Sequence, residues 1–469
     1  MYSIAWMLLV VAQAGPVPAA PVAQSRPEGV AAPAILGTNE AARGLDTSIS
    51  FAELDELLIG RRASGPKGRE ALKHLLHTKL LGLLAKESRL SIGSKEVDAK
   101  AKEIEARLIQ SREAASLAEF LSQSGVPLDV FREHLRLALV QETLARRALG
   151  TPPDEELNGE KQEMWLAQVL EQRGAQMPTP PWADGVAARC GDLEVSVKDF
   201  LDHLRTVLPA EDVREDCFQL LLLKRMRARM PDLAPEALAK AVDLELERRG
   251  RETRDDPRYR GLSYEQVMGA QGLPVAYLRL DPAVLIASLS TLWVDRSQGD
   301  KGLRAVYAKE RELFDGRFGE AVDARMLFLR ASSVPNPLIP RDFPAAEMDL
   351  SKWKETVRTA DEFGKLARER SEEPFSRDKD GRVGFVTRGD DRLPPEVREA
   401  LFAAKPAVVG TPMVGPVRVQ GGACLLWVGV RRPAPGWEEM SLNVHRELRR
   451  RFIEELLTRD AVYTYLNKP

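Results

Sequence analysis

One stretch of helical sequence occurs twice in this chain, at an offset of about 146 residues. The segment that begins at Ile49 is matched by one that begins at Val195, and a Leu-rich helical pattern follows each of them. Both copies continue to a serine-initiated helix, at Ser116 and at Ser263, and then to a Gly-x-Pro stop. Chance likeness between two helical bundles is the alternative, but the constant offset and the matched caps favour a duplicated helical module.

Each copy has the apolar periodicity of amphipathic helices. Ser50 and Glu53 have the spacing of a capping box, in which the serine side chain satisfies an unpaired amide and the glutamate reaches back. In the helix predicted from Arg69 to Glu87, leucines recur at intervals of three and four residues: Leu72, Leu75, Leu76, Leu80, Leu83 and Leu84. This spacing lines one face of a helix, so the sequence predicts a mostly α-helical chain.

The composition is that of folded domains. Hydrophobic residues make up 44% and charged residues 29% of the 469 residues, which favours several folded domains over a disordered chain. The formal net charge is -2; without an excess of Lys and Arg to neutralise phosphates, we expect no nucleic-acid partner. Cys190, Cys217 and Cys424 fit no zinc spacing or disulfide framework, and a single bridge between Cys190 and Cys217 is the alternative to three free thiols.

The N-terminal residues indicate the compartment. Ile4 to Val11 is a short apolar run, and Ala12-Gln13-Ala14 has the form of a cleavage site, although no Lys or Arg precedes the run. The run has about half of the ~20 residues that a membrane span needs. The leading prediction is a cleaved signal peptide, and a buried N-terminal helix is the alternative. A Pro/Ala-rich tether follows, and we expect no stable membrane span in the mature chain.

The region from Phe318 to Pro433 has a different pattern. Short β-rich apolar runs alternate there with helical stretches. The predicted order is strand, helix, strand, helix, strand, strand, at Val322–Leu329, Glu362–Arg370, Val383–Val386, Pro395–Ala404, Pro416–Val419 and Cys424–Val430. Such an order in a short region predicts a small α+β domain. A last helix is predicted from Glu438 to Leu466.

Four motifs in this region follow one another in a fixed order. They are Ala324 to Phe328, Ser371-Glu372-Glu373-Pro374 with Gly381-Arg382-Val383-Gly384-Phe385, Leu401-Phe402-Ala403 with Lys405-Pro406, and Gly415 to Gly422. In this order they resemble the opening strand, the loop and Gly-rich strand, the second helix and the closing strand of the parvulin (PpiC-type) peptidyl-prolyl cis-trans isomerases. With the helical modules and the signal sequence, the chain resembles exported chaperones of the SurA/PrsA type.

That resemblance implies a multidomain, mostly α fold. It would consist of two SurA-N-like helical modules, one small α+β parvulin-like domain and a C-terminal helix that packs on the modules. The implied segments are a signal peptide (1–14), a tether (15–47), module 1 (48–150), a connecting helix and linker (151–190), module 2 (191–296), the parvulin-like domain (318–433) and the last helix (434–469). The implied partners are unfolded or proline-containing polypeptides, and no cofactor is implied.

The parvulin-like region departs from the family at positions that matter for catalysis. Parvulins carry a histidine in the first strand and another in the last, where this chain has Met326 and Cys424; the loop acid is Glu373. Isomerisation breaks no covalent bond, because its barrier is the ~18–20 kcal/mol of amide resonance. A general acid or base is therefore not required, and both an active isomerase and a degenerate peptide-binding domain stay open.

The resemblance implies a site of eight residues. Glu373 and Cys424 would face the reacting bond, and six apolar side chains would receive the prolyl ring: Met326, Val383, Phe385, Leu393, Val397 and Phe402. The alternatives are a solvated loop acid for Glu373 and a buried strand cysteine, acting as a small hydrophobe, for Cys424. His74 and His77 lie three residues apart on a predicted helix, but no third ligand is evident and no metal site is predicted.

Overall fold

The computed structural model describes residues 36–124, 126–152, 155, 157–334, 338–339, 341–404, 412–457 and 462–466, without the side chain of Phe375. The predicted signal peptide, most of the predicted tether and the Lys405-Pro406 motif lie outside these residues. The described chain forms two compact units. One, which we call the helical unit, comprises the residues up to Ser290 and those from Glu454 on; the other, the sheet unit, comprises Thr291–Ile453.

The helical unit begins with a β-hairpin. Its strands are β1 (Glu40–Gly44) and β2 (Thr47–Ser50). The turn residues Leu45 and Asp46 both have positive φ, at 51° and 55°, which matches the twist that a two-residue hairpin requires. Helices follow at α1 (Phe51–Arg61), α2 (Pro66–Glu87), α3 (Ser94–Ser111), α4 (Leu117–Ser124), α5 (Leu128–Leu149) and α6 (Gly159–Gln172).

The capping box predicted at the start of α1 is present. The Glu53 amide donates to Ser50 Oγ at 3.2 Å, and the Ser50 amide donates to Glu53 Oε2 at 2.8 Å. Two amides that the helix itself leaves unpaired are thereby satisfied. The equivalent serine of the second copy, Ser196, accepts from the Asp199 amide at 3.1 Å, so both copies fix the first turn of their first helix in the same way.

The same order of elements recurs in the second copy. Its hairpin is β3 (Val186–Cys190) and β4 (Leu193–Ser196), and its helices are α7 (Val197–Val207), α8 (Ala210–Ala228), α9 (Pro235–Asp255), α10 (Tyr264–Ala270) and α11 (Pro282–Ser297). The part of α11 from Thr291 on belongs to the sheet unit. The strands β1 and β3, the strands β2 and β4, and the helices α1 and α7 each begin 146 residues apart. The repeat includes a hairpin that begins before the predicted module starts at 48 and 191.

The two copies exchange helices. Helix α2 of the first copy packs on β3, β4 and α7 of the second, whereas α8 of the second copy packs on β1, β2 and α1 of the first. Ile49 of β2 and Val195 of β4, which are equivalent in the repeat, are both buried. Because each copy completes the core of the other, the two copies form one unit.

A buried ion-pair network joins the copies. Asp216 on α8 is fully buried; Arg61 Nη1 donates to its Oδ1 at 2.9 Å, and Arg62 Nε donates to its Oδ2 at 3.0 Å. Arg61 Nε also lies 3.5 Å from Oδ2 of Asp281, which is buried as well. Burial raises the pKa of Asp216, and the hydrogen bond from Arg62 opposes that rise. The charge on this carboxylate therefore depends on its arginines.

Four of the five histidines lie on α2, α5 and α7, and α2 packs on both of the other helices. His74 and His77 are on α2, His134 is on α5 and His203 is on α7. The His74 ring stacks on the His203 ring, with centroids 5.4 Å apart, and meets the His134 ring edge-on at 6.0 Å. Within the described ranges, no group of three or more His, Cys, Asp or Glu side chains has a metal-binding arrangement.

The sheet unit holds a four-stranded antiparallel sheet in the order β6-β5-β8-β7. The strands are β5 (Ala321–Arg330), β6 (Arg382–Thr387), β7 (Met413–Val419) and β8 (Gly422–Arg432). The helices are α12 (Gly299–Lys309), α13 (Arg311–Phe318), α14 (Phe343–Thr356), α15 (Ala360–Arg370), α16 (Pro374–Arg377), α17 (Pro395–Ala403) and α18 (Trp437–Leu456). The predicted fold, mostly α and multidomain with a small α+β domain, is confirmed.

The two central strands divide the core of this domain by alternation of their side chains. Met326 on β5 and Cys424 on β8 belong to the cluster that includes Val397 of α17. Leu327 and Leu425, one residue further along each strand, belong to the opposite cluster, which is formed with α14 and α15. The face shared with α17 is the one that carries the site described below.

The C-terminal segment differs from the predicted continuous helix. Helix α18 ends at Leu456 rather than Leu466, and Tyr463–Thr464 forms strand β9, which pairs antiparallel with β1. The prediction is wrong at this end because β1 has a free edge, whose backbone groups a short strand satisfies. The apolar residues Met440, Val444 and Leu448 of α18 pack inside the sheet unit, against Val294 and Phe314.

One stretch among the described helices, Val275–Ser297, is long and apolar enough to cross a membrane by length and composition alone. Val284, Leu289 and Val294 within it are fully buried in the protein, as in a helix of a folded core. All three cysteines are free and buried, so the alternative of a bridge between Cys190 and Cys217 is not realised.

Candidate functional site in the sheet unit

A cavity of about 530 Å³ opens on the α17 side of the sheet. Its volume lies within the roughly 300–1,000 Å³ typical of ligand pockets. Its apolar lining comes from the strands and from the segment before α17: Met326, Phe328, Val383, Leu393, Pro394, Val419 and Cys424. Its polar lining consists of Glu373, Ser376, Lys379, Arg382, Arg392 and Gln420. The cavity thus combines an apolar floor with a charged rim.

Strand register brings the floor together. Phe328 on β5 lies directly opposite Cys424 on β8, and alternation sends Met326 and Phe328 to the same face of the sheet. Met326 and Cys424 also belong to the core cluster on this face. The floor is therefore an extension of the domain's own core rather than a set of mobile loops.

Five of the eight site residues predicted from the resemblance line this cavity: Glu373, Cys424, Met326, Val383 and Leu393. Val397 does not, because it is fully buried within the core on the inner side of α17. Phe402 belongs to the same core, and the Arg388 guanidinium lies over its ring at 4.3 Å from the centroid. Val397 and Phe402 therefore lie in the core beside the cavity and not in its lining, and their contact with substrate stays a prediction.

Phe385 is kept out of the cavity by an irregularity in β6. The register of β6 on β5 shifts next to Val383, and Gly384 has a φ of 84°, which favours glycine. Such a bulge breaks the alternation of side chains. Val383 therefore lines the cavity, whereas Phe385 is 41% exposed with the Arg432 guanidinium 4.1 Å from its ring centroid. Phe385 does not line this cavity, and its contact with substrate stays a prediction.

Glu373 is a half-buried acid at the start of α16. Ser376 donates to Glu373 Oε2 twice, from its amide at 2.6 Å and from its Oγ at 2.5 Å. These bonds hold the carboxylate as a helix cap is held and fix its orientation in the cavity wall. Ser376 was missed in the sequence, although its three-residue spacing from the acid is typical of a helix start.

Cys424 is a buried, neutral thiol. It is 1% exposed, and burial raises its pKa to about 12, with the carboxylate of Glu396 adding to the rise. Because the thiolate is the reactive form of cysteine, Cys424 offers neither a nucleophile nor a base at neutral pH. It serves as a small apolar group in the floor, which is the alternative that the sequence left open.

The cations of the rim were not predicted. Arg382 belongs to the Gly-rich strand motif but was given no role there, and Lys379 and Arg392 belong to no motif. Phe328 could have been found, because it lies two residues beyond Met326 on a predicted strand. The positions of the cations could not, because they depend on how the turn before β6 folds against β5.

The sequence of this region matches a family model. Residues 335–426 match the model described as Rotamase: PPIC-type PPIASE domain. This part of the chain is similar to PPIC-type PPIase domains. Strand β5 (Ala321–Arg330) lies entirely before the match, but it is paired between β6 and β8, so it is a central strand of the same sheet. The resemblance to parvulin-type isomerases that the sequence indicated is confirmed.

Several solved structures resemble parts of the chain. The peptidylprolyl isomerase PrsA from Bacillus anthracis is 13% identical, with 51% of this chain and 93% of that chain covered and a TM-score of 0.24. A PpiC-type peptidyl-prolyl cis-trans isomerase domain is 24% identical, with coverages of 25% and 96% and a TM-score of 0.19. A SurA-like chaperone from Campylobacter jejuni is 13% identical, with coverages of 58% and 93% and a TM-score of 0.23.

These identities and TM-scores are low, so the likeness establishes no shared overall architecture. A search with the whole sequence matches no curated protein.

Proposed function

We propose that this protein is an exported folding factor that binds unfolded chains and isomerises X-Pro bonds in the cavity of its PPIase domain. The observation that carries the proposal is the cavity itself, an apolar floor with a polar rim inside a domain of the PPIC-type family. Its volume of about 530 Å³ leaves room for a prolyl ring and the residues beside it.

The floor and the rim suit different parts of the reaction. Twisting the prolyl amide removes its resonance and its charge separation, so an apolar floor of Met326, Leu393 and Val419 would favour the twisted state over the planar one. Donors on the rim, such as Gln420, would hold the neighbouring carbonyls of the peptide. Only contacts that are stronger in the twisted state lower the barrier. The neutral Cys424 thiol is compatible with this scheme, because no nucleophile takes part.

Binding of unfolded chains is proposed for the helical unit. Several of its large apolar side chains are exposed, among them Met164, Leu244 and Leu280. Exposed apolar groups on a folded domain are suited to contact with apolar segments of another chain. This part of the proposal gives the helical unit a role in holding clients while the PPIase domain acts on their prolines.

Export is the third part of the proposal. It rests on the apolar run from Ile4 to Val11 and the Ala12-Gln13-Ala14 site that follows. We expect the mature protein to begin at Gly15. The intact mass of the exported protein, measured by mass spectrometry, gives the position of its N-terminus. An exported protein that retains Met1 would contradict cleavage at this site.

A second candidate function is a chaperone whose PPIase domain binds peptides without isomerising them. The observation that favours it is the replacement of both family histidines, by Met326 and by the buried Cys424. Such a protein would still suppress the aggregation of an unfolded client, because that activity needs only exposed binding surfaces.

Exchange in a capped Ala-Pro peptide, measured by NMR with and without the full chain, separates the two functions. Uncatalysed exchange takes tens to hundreds of seconds, and we expect the full chain to accelerate it by at least about tenfold. If stoichiometric protein leaves the prolyl exchange at its uncatalysed rate but still suppresses aggregation of a client, the isomerase function fails and the non-catalytic chaperone remains.

A further inference from the structure

Two cations in the cavity lining have no acidic partner among the residues that the structure describes. Lys379 and Arg382 are both exposed, and both line the cavity. The turn that carries them is fixed on the sheet, because the Met326 amide of β5 donates to the Gly381 carbonyl at 2.7 Å. Their positions at the cavity are therefore set by backbone contacts and not by salt bridges of their own.

The acids beside this turn are engaged by other arginines. Three ion pairs account for them: Arg377 with Asp378, Arg368 with Asp380, and Arg392 with Asp390. The remaining acid of the lining, Glu373, is held by Ser376 at the start of α16. The lining therefore carries the two cations Lys379 and Arg382 against one carboxylate, Glu373, and this excess of positive charge can attract an anion from solution.

We propose that the cavity selects X-Pro peptides that carry a carboxylate side chain next to the proline. The inference rests on the proposed function, since it names the substrate class of the same site. Lys379 and Arg382 meet the carboxylate while the apolar floor receives the prolyl ring. One exposed charge pair changes an equilibrium constant by about 1.4- to 5-fold, so two cations that act independently give a preference of about two- to 25-fold.

Three peptides that differ only at the residue before proline test this. They carry Glu, Gln or Lys there and are acetylated and amidated at their ends, so that no terminal carboxylate competes. Catalysed exchange is measured by NMR with the full chain. We expect kcat/KM in the order Glu, Gln, Lys, with about two- to 25-fold between Glu and Gln. The difference shrinks at high salt, because the screening length falls from about 10 Å at 0.1 M to about 3 Å at 1 M.

Charge reversal gives the second arm of the test. The double variant Lys379→Glu/Arg382→Glu is expected to prefer the Lys peptide over the Glu peptide. Lys352→Glu/Lys365→Glu is the matched control, because it makes the same change in net charge at two exposed lysines that do not line the cavity. It is expected to keep the wild-type preference.

The outcomes distinguish this inference from the function on which it rests. If the Gln peptide is not accelerated at all, the proposed isomerase function fails. If all three peptides are accelerated equally, or if the control reverses the preference as the cavity variant does, only the acidic specificity is overturned. A preference for Glu that the cavity variant alone reverses supports it.

Discussion

The variant Asp216→Ala is expected to lower the free energy of unfolding of the helical unit by about 3–5 kcal/mol, the usual result of removing one partner from a buried ion pair. Asp216 is fully buried and accepts hydrogen bonds from Arg61 and Arg62. Without it, two partly buried guanidinium groups between the exchanged copies would lose the charge that offsets their desolvation. The loss is large because the network joins α1 of one copy to α8 of the other.

Urea unfolding followed by far-UV circular dichroism measures this loss. The control is Asp212→Ala, one turn earlier on the same helix, where the carboxylate is 31% exposed, pairs with Lys67 at 3.1 Å and lies at the edge of the network, 3.8 Å from Arg62 Nη1. A surface pair of this kind is worth about 0–1 kcal/mol. If Asp216→Ala costs no more than Asp212→Ala, the network does not hold the copies together.

Acidification from pH 7 to pH 5 is expected to destabilise the helical unit by about 2–4 kcal/mol through its histidines. Burial lowers the pKa of all four, and it lowers that of His77 and His203 to about 4. Neighbouring charges modify this lowering of the pKa. Glu70 opposes it for His74, and Glu133 opposes it for His134. Lys73 adds to it for His77. His203 Nε2 has no hydrogen-bond partner within the described residues.

The direction of the effect follows from proton binding. In the unfolded chain a histidine has a pKa of about 6.5, so between about pH 6.5 and pH 4 the unfolded chain binds more protons than the folded one. The free energy of unfolding therefore falls as the pH falls through this window, and the full contribution is present above about pH 6.5. Each unit of pKa shift is worth about 1.4 kcal/mol, which partial exposure of the rings reduces.

Urea unfolding at pH 7 and pH 5 tests this prediction in three proteins. The double variant His77→Leu/His203→Leu should lose much less stability on acidification than the wild type. His445→Gln is the control, since the fifth histidine lies on α18 beside Asp295, at 3.1 Å, and should keep the wild-type response. An equal response in all three proteins would show that carboxylates, and not these histidines, set the acid sensitivity.

The sequence predicted the helices of the repeat because caps and leucine spacing are local signals. Ser50 and Glu53 fixed the start of α1 without any knowledge of its surroundings. The hairpins were missed because strands of four or five residues are too short to show a period. The exchange of α2 and α8 between the copies could not be predicted, since either helix has an apolar face that would suit its own copy.

The site was predictable where strands are regular and not elsewhere. Met326 and Cys424 were predicted from the resemblance; they lie on two central strands with regular alternation, and both line the cavity. The position of Phe385 outside the cavity could not be predicted, because the bulge at Gly384 depends on the pairing of β6 with β5. The cations of the rim were not predicted for a similar reason. The turn at Gly381 positions Lys379 and Arg382 through a backbone contact that the sequence does not reveal.

The central claim is that the cavity is the isomerase site. It is tested by the rate of prolyl cis-trans exchange in a capped Ala-Pro peptide, measured with the full-length variants Leu393→Trp and Phe385→Trp. Leu393 lines the cavity and Phe385 lies outside it, although both were predicted to contact substrate. Gln420→Trp, at an exposed position of the lining, repeats the test without disturbing a buried residue, and circular dichroism checks that each variant is folded.

We expect Phe385→Trp to accelerate exchange as the wild type does, and Leu393→Trp and Gln420→Trp to lose most of the acceleration. The assignment of this cavity as the isomerase site would be contradicted if a folded Phe385→Trp protein lost the acceleration while both cavity variants accelerated exchange as the wild type does.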